Sequence, residues 1–436
     1  QGSRLGFNKP KGCYPIGSIS NKSIYQLQIE KMLAIKRIAC KSQNVQMNVQ
    51  NVKFPMYFMT SDATHDDTKH FLNQHEYFKY DPNDIKLFKQ MLHPCLIESN
   101  GKFIMSSASK IAMNPNGNGG IYSSLKQSGI FQDMIDRGIE YIQIFGIDNI
   151  LCRIGDPLWF GHMIKTNADV SNKTCIKTEP HEKVGVMCLK NGKSAVTEYT
   201  ELTKDMVELR RHNDCNKDKD TQLTHVETPI GNGIIIHSTD KYYTIEMDEM
   251  ITSIKKTQCK IIKDDTTNDL LEYCYGNLAM HQFSMRFLER ICNDEQGIKY
   301  PLPIHIARKK IPFYDAKETK QTIKPESNNG IKLEYFVFDT FKYSEKCTVY
   351  NINRDEEFAP VKNPNGNSSP ISARIAHSNY WKQQIIKNGG TFENNDNEDN
   401  LLEVSPLFSY LPYGNKKEFK QRVNGKTFKL PIYLDL

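Results

Sequence analysis

Residues 141–149 read YIQIFGIDN. An apolar run that closes on glycine and an Asp-Asn pair predicts a strand over Tyr141–Ile147. Just upstream, Ile130–Arg137 has helical spacing, and Gly138 follows as its stop. Further back, Phe54–Met59 and Ile85–Phe88 read as short apolar strands. Between them His65–His75 reads as a helix capped by Ser61, Asp62 or Thr64. Ile24–Ala39 is helical, with Ile24, Leu27, Leu33, Ile35 and Ile38 among its apolar positions. Strand and helix alternate, which implies an α/β domain with a mostly parallel sheet. Downstream, Val184–Leu189 and Ala195–Tyr199 flank Asn191-Gly192, a two-residue hairpin turn. Leu333–Phe338 is another apolar strand, ending at Asp339. After about residue 359 the chain is loop-rich and marked by Pro360, Pro364 and Pro370. The expected organisation is therefore a main domain over 1–358 and a small, β-containing C-terminal domain over 359–436.

Composition narrows the classes. The 436 residues are ample for a large core and suggest two or three domains. A mean hydropathy of -0.58 and the lack of an uncharged apolar run near ~18 residues argue against membrane spans. Charged residues at 25% and aromatics at 10% exclude wholesale disorder. The net charge of +6 has no concentrated basic run, so nucleic acid is not the expected partner. A basic cleft for a phosphorylated small molecule accounts for it. Eleven scattered cysteines without C-x-x-C disfavour a disulfide framework or a zinc site, and favour a cytosolic setting.

Three stretches can carry chemistry. QGSRLGFNKPKGCYPIG, residues 1–17, interleaves glycines with Arg4, Lys9 and Lys11. Glycine-rich main chain can approach a phosphate while the cations neutralise it; a flexible basic leader is the alternative. NPNGNGG at 114–120 permits close contact with a base or sugar, or simply makes a surface turn. Asp148 follows a strand, where open α/β sheets bind ligands, and a carboxylate there can hold Mg²⁺ against phosphates; a cap or turn aspartate is the alternative. Asp339 closes LEYFVFD in the same manner, so the two carboxylates could share one metal.

Taken in order, QGSRLGFNKPKGCYPIG, NPNGNGG, FGIDN, VGVM…TEY, YGN, KLEYFVFD and DEEFAPVKN resemble the eukaryotic UDP-N-acetylhexosamine pyrophosphorylases across nearly the whole chain. The resemblance implies a GT-A-like (Rossmann-like) nucleotidyltransferase with a mixed sheet. It implies UTP and N-acetylhexosamine 1-phosphate as substrates, with Mg²⁺ or Mn²⁺ as cofactor. Carried over by position, Arg4 and Lys11 match the cations on the UTP phosphates, and Gln90 and Gly117 match uracil contacts. Asp148 matches the metal-binding carboxylate, with Asp339 in the second ligand's place. Asn118, Gly185, Glu198, Tyr199 and Asn277 match positions around the sugar. Phe336 and Phe338 match the acetyl-side wall, and Lys362 matches the lysine that reaches the sugar phosphate. None of the 12 histidines is assigned.

The chain also departs from that pattern. It starts at Gln1, inside the family's L-A-G-G-Q-G motif, so the expectation is an N-terminal truncation that lacks the first strand and binds UTP poorly. Met91 stands where a glycine usually follows the uracil-reading glutamine. Cys274-Tyr275-Gly276-Asn277 replaces N-A-G-N. The stretch from Glu201 to Leu271 is longer than the family norm, and about 205–265 reads as a solvated insertion. Within it, GNGIIIHSTDKYYTIEM suggests a small hairpin. The expected activity is a cytosolic UDP-N-acetylglucosamine pyrophosphorylase, and a homodimer is compatible with it. The rivals are a UDP-glucose or broad UDP-sugar pyrophosphorylase and a non-catalytic nucleotide-sugar binding protein.

Overall fold

The computed structural model describes residues 2–42, 52–210, 271–294, 297–316, 319–393, 400–410 and 416–436. It also describes the main chain of five strands at 224–228, 231–238, 242–247, 250–255 and 260–261. Two compact units result: Gln1–Ile176 with Met187–Thr197 and Tyr275–Leu436, and Lys177–Val186 with Glu198–Cys274.

The first unit is built on a six-stranded sheet. Its order is Lys193–Thr197, Val186–Lys190, Tyr275–Ser284, Val170–Ile176, Cys347–Asn351, and Tyr141–Phe145 also pairs along 275–284. The 170–176 and 347–351 strands are parallel. The long 275–284 strand runs antiparallel to both 141–145 and 170–176. The sheet is therefore mixed, as the family resemblance implied, rather than mostly parallel as the alternation alone suggested. A separate parallel pair joins Met56–Thr60 to Ile85–Lys89. The Asn191-Gly192 hairpin forms as expected, with φ of 52° and 72°, the left-handed pair that a tight two-residue turn requires.

The N-terminal helix runs Ile24–Ser42. Ser23 caps it, its hydroxyl accepting the Gln26 N–H at 3.1 Å, a contact that contributes about 1 kcal/mol. Ile24, Leu27, Ile29, Met32 and Ile35 are buried, and so is Lys31. Lys31 donates to the main-chain carbonyls of Ile150 at 2.6 Å and Cys152 at 3.0 Å. Burial lowers its ammonium pKa to about 8. Three apolar clusters make up most of the core. One surrounds Phe131, Phe283, Phe287 and Phe341. Another gathers Tyr25, Ile29, Trp159 and Met280. A third joins Ile16, Ile24, Leu27 and Ile150 to Val361, Trp381, Leu402 and Phe419, so residues beyond 359 share a core with the N-terminal helix. Helix Pro370–Lys387 opens with Ser369 as its cap and Pro370 in its first turn.

In the second unit, the Lys177 N–H donates to the Cys274 carbonyl at 2.8 Å, and Thr203 caps a short helix, Lys204–Glu208. The five strands form one antiparallel sheet in the order 250–255, 242–247, 231–238, 224–228, 260–261. The hairpin expected in GNGIIIHSTDKYYTIEM is the 231–238/242–247 pair; its turn lies outside the described residues. Among the described residues, no helix is long and apolar enough to cross a membrane.

Candidate active site

Asp148 lies three residues past the 141–145 strand. Its Oδ2 is 3.5 Å from the Lys11 ammonium, and both side chains are about four-fifths buried, at 21% and 18% exposure. Its Oδ1 leans over Gly146, where a Cβ would come within 2.7 Å of it. Lys11 opens the short 3-10 turn Lys11–Cys13. The glycine-rich stretch thus delivers one of its cations to the strand-end carboxylate.

The next residue ties the C-terminal segment to this point. Asn149 is buried, and its Nδ2 donates to the Glu357 carbonyl at 2.7 Å. Its Oδ1 accepts the Ala359 N–H at 2.9 Å. Beside it, the Val361 N–H donates to the Asp148 carbonyl at 2.9 Å, and Ile150 N–H to the Ala359 carbonyl at 3.2 Å. Residues 148–150 and 359–361 therefore form a short antiparallel seam, and Lys362 follows directly. The Glu357 carboxylate is held in turn by Lys173, 2.5 Å away and fully buried. Lys173 also meets Asp156 at 2.8 Å and lies 4.7 Å over the Trp159 ring. This framework sets the main chain of Lys362 one residue beyond the Asp148 contact, with its ammonium 6.0 Å over the Phe358 ring.

A second group forms around NPNGNGG. Gln90 Nε2 donates to the Gly117 carbonyl. Asn118 Oδ1 accepts the Val337 N–H at 3.0 Å. The Tyr335 N–H donates to the Asn116 carbonyl at 2.7 Å, and Gly119 N–H to the Tyr335 carbonyl at 2.8 Å. Gly117 has φ 87°, and a Cβ there would fall 2.8 Å from Tyr335 N and closer still to its carbonyl oxygen. Only glycine fits this approach. Phe336 and Phe338 lie side by side, 5.1 Å between ring centroids.

Asp339 is not at a strand end. The expected strand Leu333–Phe338 instead runs Gly330–Glu334. Asp339 sits in the 3-10 turn Val337–Tyr343. The pairing stops because the 116–119 loop takes both the N–H and the carbonyl of Tyr335. Asp339 Oδ2 accepts the Phe336 N–H at 3.3 Å and lies 2.8 Å from His305 Nε2. Burial raises the Asp339 carboxyl pKa, and the histidine opposes the rise. His305 also stacks on Phe336 at 4.1 Å. No sequence signal marked His305, whose partner is 34 residues away.

The remaining candidates are dispersed. Arg4 is exposed on the 3-10 turn Ser3–Leu5. Asn277 precedes a bulge in the 275–284 strand; its Oδ1 accepts the N–H of Ala279, which has φ 53°. Gly185, Glu198 and Tyr199 belong to the second unit, with Gly185 buried and Tyr199 exposed. Among the described residues, Asp148 pairs with Lys11 and Asp339 with His305, and no cluster of three or more His, Cys, Asp or Glu side chains is set up for a metal. A carboxylate such as that of Asp148 or Asp339 offers the oxygen chemistry Mg²⁺ prefers, in which one or two carboxylates are completed by phosphates and water.

Known proteins resemble this chain in sequence and fold. A family model described as UTP--glucose-1-phosphate uridylyltransferase matches residues 1–223. UDP-N-acetylglucosamine diphosphorylase 2 of Arabidopsis thaliana is 33% identical over 441 residues, covering 100% of this chain and 74% of that protein. UDP-N-acetylglucosamine pyrophosphorylase of Saccharomyces cerevisiae is 31% identical, covering 98% of this chain and 75% of its own length. A crystal structure described as a UDP-N-acetylglucosamine pyrophosphorylase of Entamoeba histolytica has a TM-score of 0.76 at 28% identity, over 100% of this chain and 90% of that one. On the sequence match and the shared fold together, the chain belongs to the UTP--glucose-1-phosphate uridylyltransferase family, among its UDP-N-acetylglucosamine pyrophosphorylase members.

Proposed function

We propose that this chain joins UTP and N-acetylglucosamine 1-phosphate to give UDP-N-acetylglucosamine and pyrophosphate. The observation that carries the reading is the convergence of Lys11, Asp148 and the Lys362 segment at the end of the 141–145 strand. In the proposed reaction an oxygen of the sugar phosphate attacks the α-phosphorus of UTP, and pyrophosphate leaves. The nucleophile is already ionised at neutral pH, so no protein base has to remove a proton. Catalysis then consists of positioning and of stabilising charge on the phosphoryl oxygens.

In this reading Arg4 and Lys11 face the UTP phosphates. Gln90 and Gly117 present main-chain and amide groups to uracil. Lys362 neutralises the sugar phosphate. Phe336 and Phe338 form an apolar wall for the acetyl group, which favours the N-acetyl sugar over glucose. Asn118, Gly185, Glu198, Tyr199 and Asn277 are assigned to the sugar by their match to the family pattern. Asp148 would hold Mg²⁺ or Mn²⁺, with Asp339 as the second candidate ligand, and the ion would supply charge neutralisation at the phosphate oxygens. A cytosolic location completes the proposal.

The test is pyrophosphate release from UTP with N-acetylglucosamine 1-phosphate, N-acetylgalactosamine 1-phosphate and glucose 1-phosphate, each with Mg²⁺. Turnover with an N-acetyl sugar at least tenfold above glucose 1-phosphate is expected. A preference for glucose 1-phosphate would move the chain to the UDP-glucose reading. UDP-sugar binding without turnover would make it a binding protein.

A further inference from the structure

A cleft of about 420 Å³, whose lining includes neither Lys11 nor Asp148, is formed by Cys95, Ser106, Ile111–Asn114, Lys310–Pro312 and Lys332. Its volume is in the range of small-molecule sites, about 300–1,000 Å³. Its walls are braced. The Asn329 side chain grips Ile311 at both main-chain groups, at 2.8 and 2.9 Å. Cys95, Ile104, Ala112 and Ile311 form their own small apolar cluster beneath it. The lining has two characters. Ile111, Met113, Ile311 and Pro312 offer an apolar surface, and Met113 and Ile111 are exposed. Lys310 and Lys332 supply two positive charges, and among the described residues no acidic side chain shares the lining.

We propose that this cleft binds a small phosphate monoester with an apolar body, and that its occupancy weakens nucleotide binding. The charge argues for the phosphate and the isoleucine, methionine and proline surfaces for the apolar body. The coupling follows from chain connectivity. Lys332 donates to Asn114 Oδ1 at 2.6 Å across the cleft. Asn114 and Lys332 stand on the two strands Met113–Pro115 and Gly330–Glu334. Those strands lead directly into Asn116–Gly119 and Tyr335, the segments bonded to each other beside Gln90. A phosphate bound between Lys310 and Lys332 that draws the Lys332 ammonium off Asn114 loosens the entry to that loop. The coupling, unlike the binding, rests on the proposed role of Gly117 and Gln90 toward UTP.

The experiment is calorimetric titration of the full chain with phenyl phosphate, with phenol and inorganic phosphate as partial probes. Phenyl phosphate is expected to bind at least tenfold more tightly than either. Lys310→Met, at an exposed position outside the catalytic machinery, should weaken it at least tenfold while uridylyl transfer without the probe stays unchanged. Lys332→Met should do the same to the probe. Saturating phenyl phosphate should raise the UTP Kd at least threefold in the wild type, with UTP raising the phenyl phosphate Kd by the same factor. Phenyl phosphate binding that ignores both lysine variants, or that UTP displaces competitively, overturns the site. An unchanged UTP Kd overturns the coupling. Failure of the wild type to bind UTP at all would overturn the coupling with the proposed function, while Lys310→Met still decides the cleft.

Discussion

Asn149 and Ala359 are joined by a buried hydrogen bond, Oδ1 to N–H at 2.9 Å, across 210 positions of sequence. The other end of the same amide holds the Glu357 carbonyl at 2.7 Å. One side chain thereby fixes the course of the segment that ends in Lys362, and the neighbouring residue is Asp148. The geometry of the proposed site therefore depends on a group that touches no substrate.

Asn149→Leu keeps the size and removes both bonds, together with the Oδ1 contact to the Leu151 N–H at 3.3 Å. It leaves the Ala359 N–H and the Glu357 carbonyl without this partner, at a cost of about 1–3 kcal/mol each. The expected result is an unfolding free energy in urea lowered by that order and a KM for the sugar phosphate raised more than the KM for UTP. A variant that loses stability with both KM values intact would make Asn149 purely structural.

Lys173→Met should destabilise the protein by about 3–5 kcal/mol, because Asp156 and Glu357 lose the buried ammonium they share, although Arg153 at 3.3 Å still faces Glu357. The triple variant Lys173→Met, Asp156→Asn, Glu357→Gln should recover most of that loss. Thermal melts of the two variants decide the matter. A single variant as stable as the wild type would show that the ion pairs contribute nothing.

Asp148→Asn should reduce turnover by several kcal/mol of transition-state stabilisation, at least a hundredfold, in a protein that remains folded. Pyrophosphate release at saturating Mg²⁺ measures it, with circular dichroism as the folding check. Activity within tenfold of the wild type would remove Asp148 from the metal role.

Gly117→Ala forces a Cβ against the Tyr335 main chain in a left-handed conformation. The 114–120 loop must move to relieve it, so UTP binding should weaken at least tenfold. Equilibrium titration with UTP is the measurement, and unchanged affinity would exclude this loop from the nucleotide site.

Lys31 makes a pH prediction. Burial lowers its pKa from 10.5 to about 8. Between those values the unfolded chain holds a proton that the folded chain has released. This group therefore makes stability rise with pH through that window. Between about pH 7.5 and about pH 10, the wild type should gain about 2 kcal/mol relative to Lys31→Met, read as a difference in urea midpoints. A constant difference would show that Lys31 is not buried in its charged form.

Much of the first unit was legible because local patterns and tertiary packing agree. Ile24–Ser42, His65–Gln74, Ile130–Asp136 and the 141–145 strand lie within a few residues of their expected positions. LEYFVFD was misread because apolar residues continue past the point where strand pairing stops. Hydrophobicity cannot reveal that Tyr335 has given its main-chain groups to a loop 216 to 219 residues earlier. The same holds for His305, which meets Asp339 only after two separate strands fold. Lys173 was invisible for a further reason: a lysine in VSNKTCI reads as a solvent-facing strand residue, and only the opposing carboxylates explain its burial.

The Lys173–Asp156–Glu357 trio also constrains how relatives of this chain can diverge. Its three members come from a strand, the start of a helix and the segment before Lys362. Losing either carboxylate leaves Lys173 paired with the other, whereas losing the lysine leaves two carboxylates facing each other in the interior. The order of change is therefore constrained: a carboxylate can be neutralised first, and the lysine only after it. Lineages with a neutral residue at position 173 are expected to have neutralised position 156 or 357 as well, and covariation of 173 with those two positions should be visible even where the surrounding residues drift freely.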